Sequence, residues 1–180
     1  MKKALLLLVM AMTLAAGSLF AFDQTALQLS IWSPKLQLVP PEIAITGLKL
    51  NLPYGSNCQI TGLDAGLVSI SRDQGPDLAA RVAALQVNLV NYTSGSFSGL
   101  QVGLVNVSDT SWGIVAGLVN SANSRASGIQ VGIINSSLEF RGLEIGLINY
   151  TEFLEGVQIG LVNIAKQSTL PFFPIVNICF

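Results

Sequence analysis

Carboxylates, two cysteines and a recurring asparagine are the residues of this chain that could do chemistry. General acid–base work needs two ionisable groups close together in a cleft. Asp64 and Glu144 hold the same position of a repeated motif. In a stacked array they would fall five units apart, about 24 Å at strand spacing. That is too far for a pair, so both read as solvated surface carboxylates. Asp73 and Asp77 flank a glycine turn in Ser71-Arg-Asp-Gln-Gly-Pro-Asp77. Their spacing matches no calcium loop, and a turn explains them. Even so, this longest break in the repeat is the best place for a binding loop. A serine or cysteine nucleophile needs a base, usually histidine, and the chain has none. Cys58 and Cys179 lack the Cys-x-x-Cys spacing of zinc or redox sites. No Gly-x-x-x-x-Gly-Lys phosphate loop occurs. The expectation is a protein without catalytic residues, cofactor or metal.

The asparagines belong to a repeat, and repeats decide architecture. Gly99-Leu-Gln-Val-Gly-Leu-Val-Asn106 returns at Gly113–Asn120, Gly128–Asn135, Gly142–Asn149 and Gly156–Asn163. A drifted copy, Ala84-Leu-Gln-Val-Asn-Leu-Val-Asn91, precedes them, and Gly62-Leu-Asp-Ala-Gly-Leu-Val-Ser69 comes earlier still. Asn91, Asn106, Asn120, Asn135, Asn149 and Asn163 are spaced by 15, 14, 15, 14 and 14 residues. Gly103, Gly117, Gly132, Gly146 and Gly160 recur three residues before each of the last five. Within a unit, Leu100, Val102 and Leu104 alternate with Gln101, Gly103 and Val105. Period two in a Val- and Ile-rich segment predicts a strand. Two glycines in eight residues would cost a helix about 1 kcal/mol each. Linkers such as Thr93-Ser-Gly-Ser and Ser108-Asp-Thr-Ser are turn-type.

Two all-β architectures satisfy this pattern. The leading one is a β-solenoid of stacked coils, each about 4.8 Å above the last. The Leu/Val/Leu stripe would fill its core, the asparagines would stack as a ladder, and the extra residue of a 15-residue unit would bulge outward. The alternative is a closed antiparallel barrel of about ten strands in the outer membrane, with that stripe facing lipid. Low charge favours it. So does the ending Phe172, Pro174, Val176, Ile178, Phe180, whose terminal aromatic is the candidate membrane-assembly signal. Against it, antiparallel neighbours would swap the ends of otherwise identical units. A 14-to-15 change would also invert faces unless the turns compensate. Tyr92, Phe97, Trp112, Phe140, Tyr150 and Phe153 lie outside the strand centres. They would form interface girdles in a barrel, and edge packing or stacking platforms in a solenoid. Cys58 and Cys179 would meet in a barrel but lie at opposite ends of a solenoid, beyond bridging distance.

The first 21 residues read as a secretory leader: Lys2 and Lys3, an apolar run Ala4–Ala16, then small residues to Ala21. The remainder, 22–180, reads as one β-repeat domain. It divides into irregular units at 22–83, regular repeats at 84–163 and a closing strand at 164–180. Without Lys2 and Lys3, nine basic residues become seven against ten acidic, a formal charge of −3. That excludes nucleic acid as a partner, since phosphate neutralisation needs clustered Lys and Arg. Charged residues are 11% of the chain and hydrophobic ones 51%. So uncharged a surface implies cover by membrane, by partners or by its own stacking.

With these units the chain resembles the bacterial surface repeat-containing proteins, whose tandem units read Gly-Leu-Gln-Ile-Gly-Leu-Ile-Asn. Gly47-Leu-Lys-Leu-Asn-Leu-Pro-Tyr-Gly55 and Leu170-Pro-Phe-Phe-Pro-Ile-Val-Asn177 are similar too, so the likeness covers roughly residues 27 to 180. It implies an exported protein of the cell surface or outer membrane, with no activity and no ligand to carry over. The chain departs from the pattern at Asn88, Val115 and Ala116, and its coils there are expected to be less regular.

Overall fold

The computed structural model describes residues 24–75, 77–168 and 171–180. The leader expected at 1–21 lies outside the described residues. Ten strands account for 79% of the described residues. They are β1 (Gln24–Trp32), β2 (Leu36–Gln37), β3 (Ala44–Ser56), β4 (Gln59–Ser71) and β5 (Arg81–Val102). They continue as β6 (Val105–Ala116), β7 (Val119–Val131), β8 (Ile134–Ile145), β9 (Ile148–Ala165) and β10 (Phe172–Cys179).

The strands form one ladder in the order β10-β9-β8-β7-β6-β5-β4-β3-β1-β2. From β3 to β9 each strand runs parallel to the next, and β1 runs parallel to β3. Only the ends are antiparallel, where β2 folds back on β1 and β10 on β9. This is a β-solenoid of about eight turns. The barrel alternative is corrected: its neighbours would all be antiparallel and its last strand would meet its first. Here β10 and β1 stand at opposite ends of the stack, and Cys58 and Cys179 are free thiols.

Register follows the motif. Asn106 pairs with Asn120, Gly113 with Gly128 and Ile114 with Ile129. The extra residues are absorbed in the linkers, where register shifts fall between Thr93 and Ser96 and between Ala122 and Arg125. Each coil turns inward again at two glycines. Gly113 sits at φ +123°, which only glycine adopts at low cost, and an added Cβ would lie 2.1 Å from Gly99 O. At Gly117 the space is taken by the ladder, with Asn106 Nδ2 2.6 Å from where a Cβ would be.

The faces are the reverse of the sequence expectation. Gln101 is 1% exposed, while Leu100, Val102 and Leu104 point outward. Alternation fixes which residues share a face but not which face is inside. The tight coil leaves little inward room, and stacked amides satisfy one another there, so the long aliphatics go out. What apolar core exists is thin. Ile60, Val82, Ala84, Phe97 and Val115 form one cluster, and Ala122, Ala126, Phe140, Leu154 and Ala165 another.

Candidate functional site: an uncharged aliphatic face over a polar interior

The interior consists of stacked rows. In the asparagine row, each side-chain Nδ2 donates to the Oδ1 of the next: Asn91 to Asn106, then to Asn120, Asn135, Asn149 and Asn163, every link 2.8 Å. The second amide hydrogen goes to a strand carbonyl, as from Asn106 to Ala116 O at 3.0 Å. All six asparagines are buried. Beside each of the last five lies its glycine: Gly103, Gly117, Gly132, Gly146 or Gly160. Asn88, in place of glycine, donates to Asn91 Oδ1 at 2.9 Å, so it extends the row instead of breaking it.

A second buried row is mixed. It runs Gln28, Lys49, Asp64, Gln86 in the first coils, then Gln101, Val115, Gln130, Glu144, Gln158 and Asn177. Asp64 and Glu144 are therefore not solvated; both are fully buried. Asp64 accepts from Asn51 at 2.6 Å, Ser69 at 2.5 Å and Gln86 at 2.8 Å. Lys49 Nζ lies 3.8 Å from Asp64 Oδ2 and donates to Ser69 at 2.9 Å. Burial pulls the Lys49 pKa down, against the attraction of Asp64. Burial pushes the Glu144 carboxyl up to about 8, opposed by the hydrogen bond from Gln158. That bond uses Oε2 at 2.7 Å. Glu144 Oε1 and Gln130 Oε1, in adjacent coils of the row, have no hydrogen-bond partner among the described residues. A proton on Glu144 would supply the missing donor. Val115 interrupts the row with an aliphatic side chain.

The outside divides sharply by charge. Four aliphatic rows run along the stack. The first holds Leu100, Ile114, Ile129, Leu143 and Val157. The second holds Val102, Ala116, Val131, Ile145 and Ile159. At the corner, Leu89, Leu104, Leu118, Ile133 and Leu147 are tied by backbone hydrogen bonds, such as Leu104 N to Leu89 O at 2.8 Å. Past it come Val90, Val105, Val119, Ile134 and Ile148. Most large side chains in the first three rows are 37–51% exposed, as with Leu104 at 47%, Leu143 and Val157 being half-buried, and none of the four rows holds a charge. On the order of 1,000 Å² of accessible apolar surface results, beyond the few hundred Å² usual in one patch of a soluble monomer.

Aromatic residues border this face. Tyr92 and Tyr150 share the row beyond Val90 and Ile148, with Arg72 over the Tyr92 ring at 5.6 Å and Lys166 over Tyr150 at 5.1 Å. On the other margin, one residue before Gly113, stands Trp112, 52% exposed. The charges gather in its row and in the row beyond. Arg125 pairs with Glu139 at 2.6 Å and Arg141 pairs with Glu155, around a groove of about 500 Å³ that Trp112 and Phe153 also line. Phe97 and Phe140, by contrast, are core residues.

The loop with Asp73 and Asp77 is a turn closed on itself, Asp73 accepting from Ala80 N at 2.6 Å. Among the described residues no three His, Cys, Asp or Glu side chains are grouped as metal ligands. Phe180, 94% exposed, follows β10 at the end of the stack. Sequence reasoning missed the aliphatic face because it assigned those residues to the core. The signal that marks it is the absence of any charge at these positions, unit after unit. No family model, curated protein or solved structure matches the chain.

Proposed function

We propose that this protein is an exported, non-catalytic β-solenoid that works by association at a bacterial surface or outer membrane, through its aliphatic face. The carrying observation is that face: four uncharged aliphatic rows along the stack. Apolar surface on this scale is costly in water and is characteristic of interaction sites. The non-catalytic part rests on where the ionisable groups lie. Lys49, Asp64 and Glu144 are sealed inside, and six outer charges are engaged in the pairs Arg125–Glu139, Arg141–Glu155 and Lys166–Glu152. The leader-like start and the resemblance of the units to surface repeat proteins support the location.

Fractionation of expressing cells tests this. The wild-type chain should stay with the envelope through a urea wash and leave it in detergent. Leu118→Glu, outward at the corner, should shift most of it to the soluble fraction. A wild-type protein that is freely soluble, monomeric and unaffected by that change would rule the proposal out.

A further inference from the structure

We infer that the occupant of the aliphatic face is the hydrocarbon of a lipid bilayer, on which the solenoid lies flat with its stack axis in the membrane plane. This rests on the association reading and names its partner. Composition speaks first. Protein–protein interfaces concentrate Trp, Tyr, Met and Arg at their centres. The four rows hold Leu, Ile, Val and Ala, and none of those four types. That is the make-up of lipid-facing surface.

Register speaks second. Moving the face by one coil, about 4.8 Å, lays Leu104 on Leu118 and Val105 on Val119. A rigid partner would meet several near-equal registers, the situation in which pairing is poorly specified. Fluid acyl chains need no register.

The margins speak third. Tyr92 and Tyr150 on one side and Trp112 on the other stand where interfacial aromatics belong, at headgroup level. Arg72 and Lys166 cap the two tyrosines, placing cationic groups where lipid phosphates would be. The Arg125–Glu139 pair lies beyond Trp112, on the water side, and the Arg141–Glu155 pair continues the row of Trp112 itself, at the same level. Strand hydrogen bonds already satisfy the backbone beneath the face, as contact with hydrocarbon requires. Those charged pairs share the same coils, so the chain would rest in one leaflet and not span.

Two measurements on the full chain test this. In flotation with phosphatidylcholine vesicles, the wild type should rise with lipid and remain bound in 1 M salt, because apolar contact is not screened. A Leu118→Glu/Ile133→Glu variant, folded by circular dichroism, should lose at least ten-fold in bound fraction, whereas Arg141→Gln should float normally. Trp32→Phe leaves Trp112 as the reporter, and vesicles brominated near the headgroup should quench it more than vesicles brominated near the bilayer centre. A face-to-face dimer that the double variant dissolves, with no flotation and no quenching, would overturn the lipid assignment and leave association standing. A monomer that neither floats nor is quenched would remove both.

Discussion

Glu144 is held in a row of amides with one oxygen satisfied and the other, like Gln130 Oε1 at the paired position of the adjacent coil, without a hydrogen-bond partner among the described residues. Burial raises its pKa to about 8 from an ordinary value of 4.5. The folded chain therefore keeps a proton that the unfolded chain loses above pH ~4.5. Stability from this group is fully present below that pH, is lost progressively as pH rises to about 8, and is flat beyond. Thermal melting of Glu144→Gln, a neutral amide of the same shape, should show little of that decline and exceed the wild type at pH 8 by a few kcal/mol at most. Identical pH profiles for the two proteins would mean that Glu144 is not buried in solution. The Lys49–Asp64 pair gives a second expectation. Lys49→Met leaves Asp64 buried with its amide and hydroxyl donors but without its cation, which typically costs about 3–5 kcal/mol. Lys49→Met/Asp64→Asn should recover much of the loss, read as the shift in melting temperature.

At the scale of the element, the coil depends on the asparagine row and the glycine beside it. Asn135→Leu keeps the branched shape of the side chain, in a larger volume, but takes a partner from Asn120 Nδ2 and from Asn149 Oδ1. Each unsatisfied buried group costs about 1–3 kcal/mol, so the melting temperature should fall by several degrees. Gly117→Ala should also destabilise, since its Cβ would meet Gly103 O at 2.5 Å and the amide of Asn106. The strands and the coil period were legible in the sequence, because alternation and the 14–15-residue spacing are local and repeated. The faces were not. A Leu/Val/Leu stripe opposite Gln and Gly reads as core by hydrophobicity, and nothing within one unit shows that Gln101 finds its partner in Gln86, one coil away, at 2.7 Å. The burial of Asp64 and Glu144 was hidden for the same reason. Their neutralising and hydrogen-bonding neighbours, Lys49, Asn51 and Gln158, sit on other coils.

For the whole molecule, nearly all contacts join neighbouring coils, so stability is close to a sum along the stack, with the ends weakest. Native-state hydrogen exchange should find the amides of β6 to β8 most protected and those of β1, β2 and β10 least. Uniform protection from end to end would contradict a stack of semi-independent coils. The same linearity scales the outer face, since each added coil widens the aliphatic band by about 4.8 Å.

The mixed buried row has one more consequence. The asparagine row is uniform, and taken alone it would let one coil stand in for the next. Lys49, Asp64, Val115 and Glu144 break the run of amides in the adjacent row at four levels. Slip the array by one coil and Lys49 loses its carboxylate, while Val115 meets a charge or an amide meant for another. The row acts as a postal address written along the inside of the stack, and each coil has one floor on which it fits.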